Sequence, residues 1–290
     1  MMKTIGKFLR LSMLMLVVLT TIGNLAAAPK NADNDKTIKI LAIGNSFSQD
    51  AIEQYFWELA EAEGIRVVVG NLYFGGCSLE GHLSFLKEGK SVYEYRKIKR
   101  GIKVNTPKVN LDKALTDEKW DYISFQQASH FSGLKDTYMP YMKELMEYVR
   151  EKVGPDVKFL FHSTWAYSED SNHSGFKNYD NSQIKMYNDI IAATRHAMKI
   201  GDFYKVIPSG TAIQNGRTSE LGDTFCRDGY HLNLIYGRYT AACTWFETIF
   251  GLSVVGNPYS PRGISERQRI VAQQAAHAAV ANPYEITPIE

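Results

Sequence analysis

The stretch Thr37-Ile38-Lys39-Ile40-Leu41-Ala42-Ile43, running directly into Gly44-Asn45-Ser46-Phe47-Ser48, decides the fold. An apolar, β-branched run of strand length that meets Gly, Asn and Ser predicts a strand with a sharp exit into a helix. Beyond the turn, Ile52, Tyr55, Phe56 and Leu59 recur at helical spacing, which predicts a helix over 50–63. The same alternation returns downstream. Strands are predicted over 65–72, 121–125, 157–161 and 204–207, and helices over 136–152, 182–199 and 232–250. Strands alternating with helices predict a three-layer α/β/α sandwich around a five-stranded parallel sheet.

Two segments stand outside that repeat. Residues 78–119 form an insertion between the second and third strands; its middle, 92–104, alternates like a hairpin turning near Arg100-Gly101. Residues 264–282 carry an Ala- and Gln-rich helix expected on the outer layer. One domain over 37–290 accounts for all of these elements, within the usual size of a single core.

The N-terminus reads as processing signal. Lys3, Lys7 and Arg10 precede an apolar stretch from Leu11 to Ile22, and Ala26-Ala27-Ala28 follow, the order of a secretory leader over 1–28. The apolar stretch falls short of the ~20 residues a bilayer span needs, so no stable membrane insertion is expected after its removal. A polar linker, 29–36, leads into the domain, and a periplasmic or secreted protein is expected. Net charge is only +2, which gives no electrostatic case for binding nucleic acid. Three cysteines, Cys77, Cys226 and Cys243, allow one bridge; Cys77 with Cys226 is the conceivable pair, and Cys243 reads as core filler.

Chemistry concentrates at strand ends, where parallel sheets of this kind bind ligands. Ser46 follows a strand and a glycine and precedes a helix, so its hydroxyl and its N–H can face one point. Ser46-x-x-Gln49 is equally a capping box, and Ser48 could take over that duty. In Asp228-Gly229-Tyr230-His231 the carboxylate can hold the imidazole Nδ1–H while Nε2 points outwards, the task of acid and base in a Ser-His-Asp set. An Asp-Gly turn capping the next helix is the structural alternative. Gly75-Gly76 and Gln126 lie at the next two strand ends, where a backbone N–H and a side-chain amide could stabilise an oxyanion. Zinc-type His or Cys spacing and a phosphate-binding Gly-Lys loop are absent, so neither metal nor cofactor is expected.

Over about Ile38 to Gly251 these strings resemble the SGNH, or GDSL-type, hydrolase superfamily, with its flavodoxin-like fold. The likeness is nearest to a branch of gut Bacteroidetes carrying Ile-Gly-Asn-Ser-Phe-Ser and Asp-Gly-x-His-Leu. The resemblance implies Ser46 as nucleophile, Asp228 and His231 as the rest of the triad, and the Gly76 N–H as an oxyanion donor beside that of Ser46. Two departures stand out. Asn45 replaces the usual Asp before the serine, and Phe125-Gln126-Gln127 stands where Gly-x-Asn-Asp is usual, which gives Gln126 the place of the Asn donor.

An acylated carbohydrate is the expected substrate and O-acetyl the expected group, with pectin methylester or lipid ester as alternatives and an inactive glycan-binding module as a third. Aromatics after the fourth strand (Trp165, Tyr167, Phe176 and Tyr179, with His162 and His173) suit sugar faces, or equally a core. Trp165, His162, Asn45 and Gln127 form the expected substrate-binding set. Between Lys87 and Lys108 stand eight Lys or Arg against two Glu, either a solvated face or, beside the site, a lure for uronates.

Overall fold

The computed structural model describes residues 36–290; the expected leader, and the linker as far as Asp35, lie outside them. Strand β1 (Ile38–Gly44) is the centre of a seven-stranded mixed sheet. The other strands are β2 (Val67–Tyr73), β3 (Tyr93–Lys99), β4 (Ile102–Val109), β5 (Tyr122–Phe125), β6 (Lys158–His162) and β7 (Lys205–Ile207), in the order β4-β3-β2-β1-β5-β6-β7. The five strands read from apolar runs are all parallel. The sheet nevertheless does not stop at five. The insertion hairpin adds β3 antiparallel to β2 and β4 antiparallel to β3, so the free edge of β2 is covered by the chain itself. The hairpin turns at Arg100 and Gly101, both at positive φ as a two-residue turn requires.

Period-two alternation sends β1 into two cores. Ile40 and Ala42 join one cluster, and Leu41 and Ile43 the other. The first core packs under α1 (Ser46–Ile52), α2 (Phe56–Ala62), α8 (Tyr236–Phe250) and α9 (Glu266–Ala281). The second is covered by α3 (Leu79–Lys87), α4 (Leu111–Thr116) and α5 (Tyr141–Val153). α6 (Gln183–Ile200) gives Met186 and Ile190 to the first core and Ala193 and Ala197 to the second.

Three departures from expectation have local causes. The helix expected over 50–63 starts earlier, at Ser46, and breaks at Tyr55, which takes a left-handed φ of 69° and donates its hydroxyl to the Leu234 carbonyl. α8 starts at Tyr236, after Leu232, because the Leu232 N–H is bound by Asp50 and the Asn233 N–H by the Phe225 carbonyl. α7 (Ser209–Arg217) has no apolar face to announce it, yet all of it is buried. Gly210 permits this, since a Cβ there would lie 2.1 Å from the Thr164 carbonyl oxygen. Among the described residues no helix is long and apolar enough to cross a membrane.

β1 is flanked by β2, which follows it in sequence, and by β5, which follows the hairpin. Strand order reverses there. Loops leaving β1, β2, β5 and β6 at their carboxyl ends therefore splay apart and open a cleft.

Candidate active site

Ser46 is the first residue of α1 and is not its cap. Asn45 has that role: its Oδ1 accepts the Phe47 N–H at 3.0 Å, and its Nδ2 donates to the Cys77 carbonyl at 3.0 Å. The Ser48 hydroxyl turns inwards to the Asn45 carbonyl and the Asn71 side chain. Neither half of the expected capping box is used, and the partly exposed Ser46 side chain has no hydrogen-bond partner among the described residues. Gly44 makes the bend possible, because a Cβ there would stand 2.5 Å from Ser48 Oγ.

Asp228 and His231 are joined within their own turn. His231 Nδ1 lies 2.7 Å from Asp228 Oδ2, while Asp228 Oδ1 accepts the N–H groups of His231 at 2.7 Å and Tyr230 at 3.2 Å. Partial burial pushes the Asp228 carboxyl up, but the His231 ring and these N–H donors outweigh it and hold the pKa below the usual carboxylate range. A carboxylate on Nδ1 fixes the tautomer and leaves Nε2 as the free ring atom. The loop is steadied by the segment after β6, where Trp165 Nε1 donates to the Tyr230 carbonyl and the Ser168 N–H to that of Gly229.

Ser46 and His231 line one cleft of about 490 Å³, with Phe47, Tyr73, Gly75, Gly76, Ser129, His130, His173, Ser174, Gly175 and Tyr230. Gly76, at φ +64°, is the turn glycine after β2, and its N–H has no partner among the described residues. No three His, Cys, Asp or Glu side chains among the described residues gather as metal ligands.

The other expected site residues lie behind this wall. Gln126 is buried: its Nε2 donates to Asn45 Oδ1 at 2.8 Å, and its Oε1 faces His162 Nδ1 at 2.9 Å. It therefore backs the Asn45 cap and does not line the cleft. Burial drives the His162 pKa down to about 3, so the ring is neutral. With Nδ1–H given to Gln126, Nε2 accepts the Ser209 hydroxyl at 3.0 Å. A chain of donors thus runs from Ser209 through His162 and Gln126 to the residue that caps α1. Gln127 is spent on local structure too, accepting the Leu79 and Ala128 N–H groups and donating to Thr137. Trp165 is fully buried and stacks on Phe47, with centroids 4.3 Å apart. Asn45, Gln127, His162 and Trp165 are thus buried and outside the cleft lining, and Tyr167, Phe176 and Tyr179 are core. A buried polar side chain at a strand end resembles a ligand contact in sequence; only the direction in which it points separates the two.

The cleft wall supplies residues that sequence reading left out of the site, Tyr73, Ser129, His130, Ser174 and Tyr230, and of the rings expected to suit sugar faces it includes His173. His173 accepts the Gly175 N–H on Nδ1 at 3.0 Å, so the neutral ring presents Nε2–H. Burial, then the neighbouring His231, lower its pKa and keep it neutral. Cys77, Cys226 and Cys243 are all free thiols, so the conceivable bridge is not formed. Burial pushes the Cys77 thiol up to about 12, which removes it as a nucleophile at neutral pH.

Residues 39–279 match the family model described as a domain of unknown function, DUF4886. A crystal structure of a DUF4886 family protein from Bacteroides uniformis is 53% identical, covering 88% of this chain and 98% of its own, with a TM-score of 0.86. A protein described as a candidate SGNH hydrolase from Slackia heliotrinireducens is 21% identical over 74% of this chain and 100% of its own, with a TM-score of 0.51. That likeness is one of fold. No curated protein matches the chain.

Proposed function

The chain belongs to the DUF4886 family, and from that premise we propose that it is a serine esterase of the SGNH type, removing short acyl groups, O-acetyl first among them, from carbohydrates. One observation carries the reading: an Asp-held imidazole and an unengaged serine hydroxyl wall the same cleft. In this mechanism His231 Nε2 takes the Ser46 proton as Oγ attacks the ester carbonyl carbon, and the carbonyl π electrons pass to oxygen. The N–H groups of Ser46 and Gly76 bind that oxyanion. Collapse expels the alcohol, which receives its proton from His231. Water, deprotonated by His231, then attacks the acyl-enzyme and releases the acid with free Ser46. Asp228 stays ionised throughout and holds the ring.

The wall supports the polar substrate. Its side chains are hydroxyls, imidazoles and aromatic rings, and no Leu, Ile, Val or Met lines it, which argues against a long acyl chain. The expected leader would deliver such an enzyme to the periplasm or beyond, where glycans are met. The uronate alternative is weakened for the hairpin's basic turn, which sits beside Val68 at the end of β2 remote from the cleft.

Acetate release from a panel of acetylated polysaccharides tests the proposal. Ser46→Ala should lower turnover by ~10³-fold or more. Undiminished release by that variant, or methanol or long-chain acid as the product, would reject it.

A further inference from the structure

The nucleophile and the base sit on segments nearly a whole domain apart in sequence, and something must set their register. One buried side chain spans the gap. Asp50, 1% exposed, lies one helical turn beyond Ser46 on α1. Its Oδ2 accepts the N–H of Leu232 at 2.7 Å, the residue after His231. The same oxygen accepts Arg227 Nη1 at 3.1 Å, from the residue before Asp228. Asp50 Oδ1 pairs with Arg238 Nη2 of α8 at 2.6 Å. Arg227 also closes the base of the loop, giving its N–H to the His231 carbonyl at 2.9 Å and its guanidinium to the Leu232 carbonyl. One carboxylate therefore grips the Asp228–His231 turn at both ends from the helix that carries Ser46.

We propose that Asp50 is a positioning residue, which holds the His231 turn in register with Ser46 so that proton transfer between them is productive. The inference rests on the esterase reading above. The chemistry of the site agrees: a buried carboxylate is tolerable where opposite charge counters it, and here two guanidinium groups and a backbone N–H do so, with Oδ1 held by its ion pair to Arg238 and by no aligned hydrogen bond among the described residues. Misplacement of a reacting group by about 1 Å costs on the order of 10²-fold in rate, so such a strut controls turnover without touching substrate.

The test uses the full chain with isotope-labelled histidine. The proton between His231 Nδ1 and Asp228 gives a far-downfield resonance, assigned by its loss in His231→Ala. In Asp50→Asn, folded by circular dichroism, that resonance should broaden or vanish, and kcat should fall about 10–100-fold with KM within about twofold. Placed on His231→Ala, Asp50→Asn should change the residual rate less than about twofold, since the group it positions is gone. An unchanged resonance, or rate losses that multiply in the double variant, would overturn the proposal. Should Asp50→Asn not fold, Asp50→Glu keeps the charge, displaces the grip by one methylene and gives the same readouts. Full activity in Ser46→Ala would instead strike the esterase reading and leave the resonance result standing.

Discussion

A polar residue at a strand end can serve the ligand or the fold, and Gln126 separates the two. As an oxyanion donor it would matter only in the transition state, and its loss would cost ~10²–10³ in kcat with stability little changed. The observed partners give it other work, between the His162 imidazole and the Asn45 cap. Gln126→Ala strands the buried His162 Nδ1–H, at a cost of about 1–3 kcal/mol, and takes one of two donors from Asn45 Oδ1, which keeps the Phe47 N–H. A loss of about 1–3 kcal/mol in urea melts is therefore expected, with kcat of the folded fraction reduced far less than 10²-fold. A stable variant with collapsed kcat would restore Gln126 to the reaction. At this scale the Asp228–His231 pair was legible because both partners lie within one turn. Asn45, Gln127, His162 and Trp165 are buried outside the cleft lining, a placement that residue type does not encode.

Elements were legible wherever burial is symmetrical. β1, β2 and β5 are flanked on both faces, so their sequences are continuous apolar runs. α7 escaped notice for the opposite reason: it is buried through Gly, Thr, Gln and Asn, which carry no helical stripe. The joining of the hairpin to the sheet also escaped notice, since alternation identifies strands but not their partners. One ion cluster shows how that joint is pinned. Glu118, just before β5, lies 2.7 Å from Lys39 of β1 and 2.6 Å from Lys97 of β3, straddling β2. Hydrogen bonds from Lys39 and Lys97 hold its pKa at about 2, against an ordinary 4.5. A carboxyl whose folded pKa is depressed adds stability that is full above its unfolded value and fades as pH falls through the folded one. Both lysines are partly exposed, so Glu118→Gln should cost about 1 kcal/mol at pH 7. That gap should narrow below about pH 4.5 and close near 2. A gap constant across urea melts at several pH values would deny the cluster its role.

Across the whole molecule, direction along the sheet decides which charges can reach the chemistry. The cleft opens where Gly44 and Tyr73 end their parallel strands. β3 runs antiparallel, with Glu94 opposite Tyr73 and Lys99 opposite Val68. The basic turn at Arg100 is thus displaced from the cleft by the span from Val68 to Tyr73, roughly 17 Å at about 3.4 Å per residue. At physiological ionic strength the screening length is about 8 Å, so a charge so placed acts weakly on the bound ester. What the hairpin does offer the site is a prop: the Arg96 guanidinium lies over the Tyr73 ring at 3.6 Å, and Tyr73 is part of the cleft wall. Reversing the turn charges in Lys99→Glu/Arg100→Glu should therefore change kcat/KM on an anionic ester by less than about twofold at physiological salt. A tenfold fall would mean that the basic turn is felt across the sheet after all, and that the polymer bound by the cleft extends along this edge to meet it.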